Sequence, residues 1–238
     1  MNLINDLIND LNKKTKVKDV RIGLHWTAIK SKYCGLAMTI PPAYHKCFIT
    51  NCGNLTTKSI LSLAEYAKSW NLTEASIGIA AINSLIKPGG KRINIFDFIY
   101  NEFNERKNKI VIVGHFPDKN IDTLREIGDV QILERSQQKG DFPDTAAEYL
   151  LPKADIVLMS GTTIINKSAE RLLELGKNSF TVVFGPSTPM SDVLFKYGAD
   201  VIGGARVKNP ENVMKKVSEG AHTRDLMDDM EFLMKINK

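Results

Sequence analysis

The sequence is short of cysteine, of long apolar runs and of the common catalytic signatures. Three cysteines, Cys34, Cys47 and Cys52, are an odd count in a chain without an export signal, which argues against a disulfide framework. Cys47 and Cys52 are close in sequence, but no second pair completes a zinc site. No stretch approaches the ~18 apolar residues of a membrane span, so no membrane insertion is expected. The start, MNLINDLINDLNKK, carries acids early and lacks a small-residue cleavage site, so it does not read as a secretory leader and a cytoplasmic location is expected. There is no G-x-S-x-G elbow, Walker loop or G-x-G-x-x-G turn. The net charge is +5, yet the lysines and arginines are scattered, with no interleaved aromatics. This is a solvated surface rather than a nucleic-acid footprint.

What is present is the texture of an ordinary globular protein, 43% hydrophobic and 25% charged over 238 residues. Leu3, Ile4, Leu7, Ile8 and Leu11 fall at helical spacing. Two candidate strands follow, VKDVRIGLHWTAIKS and YCGLAMTI, then two helical stretches, TTKSILSLAEYAKSW and EASIGIAAINSLI. Strands followed by helices give an α+β unit over 1–88. Lys87-Pro88-Gly89-Gly90-Lys91 marks a break, and 91–238 forms the second unit.

In that second unit short β-branched runs alternate with helical patterns. The runs are KIVIVG, VQILE, ADIVLMS, FTVVFG and ADVIGG, and the helices include DTLREIG, DTAAEYLL, INKSAERLLELG and SDVLFKYG. This is the pattern of a parallel sheet covered on both faces, an α/β Rossmann-like fold. Asn209 and Pro210 open the helix PENVMKKVSE, and TRDLMDDMEFLMKI is expected as a last helix.

Ligands of such sheets sit beyond the carboxyl ends of the strands. Those ends hold Gly114-His115-Phe116-Pro117, Glu134-Arg135, Ser160-Gly161-Thr162-Thr163 and Gly185-Pro186-Ser187-Thr188-Pro189. The two loops rich in glycine and hydroxyls favour an anion, or their hydroxyls simply cap helices. Glu134 has the spacing from Gly114 of a ribose-binding acid, but bulky His115 and Phe116 disfavour ordinary NAD. Asp141, Asp144 and Glu148 can share a face at a helix start, either as dipole-stabilising acids or, with His115, as ligands of a divalent metal. His25 reads as structural or at a domain contact, His45 as a loop histidine near Cys47, and His222 has no partner in view.

The runs GDFPDTAAEYLLPKADIVLMSGTTIINKSAERLLELG and VVFGPSTPMSDVLFKYGADVIGGARV resemble the "Putative heavy-metal chelation" family, as do GLHWTAI, GLAMTI and ASIGIAAINSL. The resemblance implies a Rossmann-like domain behind a smaller enolase-N-terminal-like domain, a homodimer, and a functional cleft between the domains. By position, that cleft takes Gly114, His115, Glu134, Gly161, Thr162, Thr163, Asn166, Pro186, Ser187 and Thr188, with Asn83 from the first domain. His115, Asp141, Asp144 and Glu148 are the expected metal ligands. The three cysteines lie outside the family pattern, and Ser84 stands where alanine is expected. Two functions stay open: binding a heavy metal or its small anionic chelate, and an enzyme acting on a small anionic metabolite with a nucleotide or adenosyl cofactor, His115 or Glu148 serving as acid or base.

Overall fold

The computed structural model describes residues 1–11, 15–41, 48–104 and 107–237, so His45 and Cys47 lie outside the described residues. The first part holds helix α1 (Asn2–Asn9), strands β1 (Asp19–Ile22), β2 (Trp26–Lys30) and β3 (Cys34–Met38), and helices α2 (Ile60–Ala64) and α3 (Leu72–Leu85). The single long strand expected over VKDVRIGLHWTAIKS is two strands, because the chain turns at Gly23. An added Cβ there would lie 2.1 Å from the Val217 carbonyl oxygen, so only glycine fits. The three strands form an antiparallel sheet in the order β1-β2-β3.

The second part runs through α4 (Ile95–Phe103), β4 (Asn108–Val113), α5 (Asp118–Arg125), β5 (Gly128–Glu134), β6 (Phe142–Pro143) and α6 (Ala147–Leu150). It continues with β7 (Ile156–Ser160), α7 (Thr162–Ile165), α8 (Ala169–Leu175), β8 (Phe180–Phe184), α9 (Val193–Lys196) and β9 (Val201–Val207). It closes with α10 (Pro210–Ser218), α11 (Thr223–Leu226) and β10 (Met230–Ile236). The seven-stranded sheet has the order β10-β9-β8-β7-β4-β5-β6, parallel except for β10. The five expected strands of the α/β unit are all present, and the fold is Rossmann-like.

The expected last helix is corrected. Only Thr223–Leu226 is helical, and Met230–Ile236 pairs antiparallel with β9 along its whole length. Seven residues of ladder along an open sheet edge outweigh the helical propensity of DDMEFLMK. The linker bridges the outer edge of β10 at one position: Lys91 N donates to Met234 O at 2.9 Å and Met234 N to Lys91 O at 2.8 Å.

Helix α1 belongs to the first 88 residues but lies against the large sheet's helices. Asn2 Nδ2 donates to Glu170, Tyr197 Oη to Asp6 and Ser191 Oγ to Asp10. One apolar core therefore runs from Leu7 through Ile77 and Ile79 of α3 to Val111, Met159 and Val183 on one face of the large sheet. A second core, around Ile99, Ile112 and Leu158, covers the other face. A third packs Trp26 and Leu36 of the small sheet against Val213 and Val217 of α10. Among the described residues no helix is long and apolar enough to cross a membrane.

Candidate functional site

The sheet order reverses between β4 and β7, which opens a crevice at their carboxyl ends. Gly114 leaves β4 with φ 93°, and an added Cβ would stand 3.0 Å from Ser160 Cβ at the end of β7. A side chain there would close the crevice as well as strain the backbone.

On the β5 side of this crevice His115 Nε2 donates to Asp141 Oδ2 at 2.7 Å, and Gln138 N donates to the same oxygen at 2.8 Å. The Asp141 side chain is only 5% exposed. Burial pushes its carboxyl up, but the Gln138 N–H and the His115 ring outweigh it and hold it below the usual range.

The other expected metal ligands do not join this pair. Asp144 accepts from Arg135 Nε at 3.0 Å, and Glu148 is held by Nε and Nη2 of Arg171, at 3.0 and 2.6 Å. The Arg171 bonds lower the Glu148 carboxyl. Among the described residues no three His, Cys, Asp or Glu side chains gather where a metal could sit. The three acids do not share one helix face, because strand β6 at Phe142–Pro143 sets Asp141 apart from Asp144 and Glu148, and Arg135 and Arg171 neutralise the latter two. Glu134 turns back on its own loop, with Oε1 accepting from Arg135 N at 2.6 Å and Ser136 N at 3.2 Å.

Between β7 and β8 the two hydroxyl loops interlock. Thr162 N and Oγ1 both reach Ser160 Oγ, at 3.3 and 2.9 Å, and Thr163 Oγ1 donates to Ser160 O at 2.7 Å. Asn166 Oδ1 accepts from Ser168 N and Oγ, so it braces the turn between α7 and α8. Gly161 is obligatory, because an added Cβ would lie 2.5 Å from Thr188 Oγ1 and 2.6 Å from Thr188 N.

The small sheet and α3 close the crevice from the other side. Met38 N donates to Ser187 Oγ at 2.9 Å. Asn83 Nδ2 donates to Leu36 O at 2.8 Å and to Ser187 O at 3.2 Å. Asn83 Oδ1 and Thr188 Oγ1 are buried and have no hydrogen-bond partner among the described residues. Both residues line one cavity of ≈ 10 Å³, together with Cys34, Pro186 and Met190. A buried oxygen without a partner costs about 1–3 kcal/mol.

Two family models match the chain, both described as "Putative heavy-metal chelation": DUF4213 over residues 4–86 and DUF364 over 95–234. The chain belongs to the DUF364 family. A crystal structure of a DUF364 protein of unknown function from Desulfitobacterium hafniense superposes with a TM-score of 0.89 at 28% identity, covering 99% of this chain and 98% of that one. A second, from Pyrococcus horikoshii, gives 0.84 at 23%, with coverage of 99% and 98%, and shows the shared fold. An uncharacterized protein of Methanocaldococcus jannaschii is 26% identical over 219 residues, 85% of this chain and 83% of its own.

Sequence reasoning placed Ser160 at the ligand edge without giving it a role, and assigned none there to Cys34, Met190 or Lys167. Ser160 Oγ anchors the Thr162 loop, and Cys34 and Met190 line the cavity. Lys167 has φ 68°, and its ammonium donates to Ile165 O beside it and to Ser69 O in the other half; burial lowers it to about 8. Only the GTT-IN run hinted at Lys167. His222, left without a partner by the sequence, stacks edge-on against His25 with centroids 5.2 Å apart. That contact joins the small sheet to the segment before α11.

Proposed function

We propose that this protein binds a heavy metal as a small anionic chelate in the crevice between the two halves of the chain. The observation that carries the reading is the pair of buried, unpartnered oxygens, Asn83 Oδ1 from one half and Thr188 Oγ1 from the other. The family description points to the same cargo. The Ser187 hydroxyl, which accepts from Met38 N and keeps its own proton, and the backbone of the two hydroxyl loops supply donors for the anionic part of the chelate. His115, held by Asp141, contacts the ligand at the rim. Asp144 and Glu148 take no part, being occupied by arginines.

A second reading has one observation behind it. A histidine fixed by a buried carboxylate is the arrangement of an oriented general base, so an enzyme acting on a small anionic metabolite remains the alternative. A homodimer and a cytoplasmic setting are part of the same proposal.

Isothermal titration of metal-stripped protein with a ferric or cupric citrate chelate, against citrate alone and against adenosyl compounds and nucleotides, tests the choice. Saturable binding of the chelate that Thr188→Val weakens at least about tenfold, about 1.4 kcal/mol, is expected. Binding only of an adenosyl compound or nucleotide, unaffected by Thr188→Val, would move the function to the enzyme reading.

A further inference from the structure

The large sheet has one edge that the chain leaves half finished. β5 pairs with β4 from Gly128 to Leu133, but on its other side β6 meets only Leu133 and Glu134. Among the described residues no strand or bridge lies beside Gly128–Gln131 on that outer side. The ladder shows which backbone groups stay open. Asn108 N donates to Ile127 O and Gly114 N to Leu133 O, so the odd-numbered carbonyls of this stretch face β4. By alternation the N–H and C=O groups of Gly128, Val130 and Ile132 point outward, and the first two lie short of β6.

A row of unpaired groups at a sheet edge is a template for another strand. Pro143 of β6 blunts the upper end of this edge, whereas the stretch below it holds no proline. The sheet face beside it is open too. A cavity of ≈ 160 Å³ lies over Lys109 and Val111 of β4 and Asp129 and Gln131 of β5, walled by Leu150 and Lys153. Tyr149, the residue before Leu150, is 73% exposed.

The residues of the open stretch select its occupant. Two copies of one strand related by a two-fold axis pair antiparallel. Hydrogen-bonded pairs form only between outward-facing residues, so the available registers centre on Asp129, Val130 or Gln131. Centring on Asp129 sets two carboxylates face to face, which is destabilising. Centring on Gln131 lays Asp129 against the partner's Leu133, whose outer side β6 already holds. Centring on Val130 avoids both. Asp129 then faces the partner's Gln131, a carboxylate opposite an amide donor, and the symmetry repeats the pair. Val130 meets its own copy, and Gly128, without a side chain, leaves room for the partner's Ile132.

We propose that two copies of this chain pair antiparallel through Gly128–Ile132 of β5, centred on Val130, and join their large sheets into one continuous sheet. The inference names the surface of the homodimer already proposed and rests on that dimer, not on the cargo of the crevice. The crevice opens at the carboxyl ends of β4 and β7, whereas the pairing stretch begins at the amino end of β5, on its outer side. Each copy therefore keeps its own site. The contact is a small one, so a dimer that dissociates on dilution is expected.

Light scattering after size exclusion, over the micromolar range, should show the mass rising from one chain to two. Val130→Pro removes the central N–H and is tolerated on an open edge, so it should give a folded monomer, its fold read by circular dichroism. Disulfide trapping reads the register, with Cys47→Ser and Cys52→Ser as background and Cys34 left in place because it is buried. Asp129 and the partner's Gln131 form a non-hydrogen-bonded pair with Cα atoms about 4.5 Å apart, close enough for a disulfide. Asp129→Cys and Gln131→Cys in the same chain should give a covalent dimer on mild oxidation, and either substitution alone should not. If Val130→Pro fails to fold, the cross-link decides. A dimer that forms without this cross-link would overturn the interface and leave the homodimer standing. A single-chain mass at every concentration would overturn both.

Discussion

Replacing Thr188 by valine exchanges one hydroxyl for one methyl at nearly constant shape. In the ligand-free protein this hydroxyl is buried, in a residue 2% exposed, and meets no partner among the described residues. An unpaired buried hydroxyl costs about 1–3 kcal/mol, so removing it should stabilise the fold. Part of that gain is offset, because the oxygen lies against the Gly161 backbone and a methyl there is larger. The expected net effect is a gain of about 1 kcal/mol. For 238 residues the unfolding entropy is about 0.5 kcal/mol per degree, so Tm rises by about 2 °C. Differential scanning calorimetry of metal-stripped protein reads this directly. The same variant should bind the ferric chelate more weakly, which is the opposite sign and the mark of a group retained for function rather than stability. A loss of about 1 kcal/mol or more in the ligand-free protein would refute the reasoning, since it would show the hydroxyl to be hydrogen-bonded without ligand.

Gly161→Ala forces a Cβ to within 2.5 Å of Thr188 Oγ1 and 2.6 Å of Thr188 N, so the two hydroxyl loops must separate. A loss of about 1–3 kcal/mol in urea unfolding and reduced chelate binding are expected. Asp141, whose carboxyl is held below the usual range, contributes stability that is present above its unfolded value and lost as pH falls through its folded one. Asp141→Asn should therefore flatten the fall of the urea midpoint on the acid side of pH 4, and an unchanged slope would show the His115 and Gln138 bonds to be absent in solution.

The local periods in the sequence were reliable where one face of an element decides its state. KIVIVG, ADIVLMS and FTVVFG are strands because their continuous apolar runs are buried on both sides. Asn209 caps α10 with its own side chain, accepting from Asn212 N at 3.2 Å, and Pro210 takes the first helical position. The ligand edge followed from the same logic, since parallel strands end where their loops begin. The helix α4, its apolar spacing hidden by four aromatics in nine residues, was not recognised.

What the sequence by itself determined was thus the α/β class, the strand segments of the parallel sheet and the glycine-bearing loops at their ends, all consequences of short-range pattern. What only the tertiary structure decided was which distant side chains meet. β10 is a strand because β9 offers it an open edge, and α1 crosses to the large sheet because its buried face completes that core. Asp144 and Glu148 are spent on Arg135 and Arg171, and His222 finds His25. Backbone pattern is encoded within a few residues, whereas a site is a meeting of side chains whose separation along the chain carries no trace of their separation in space.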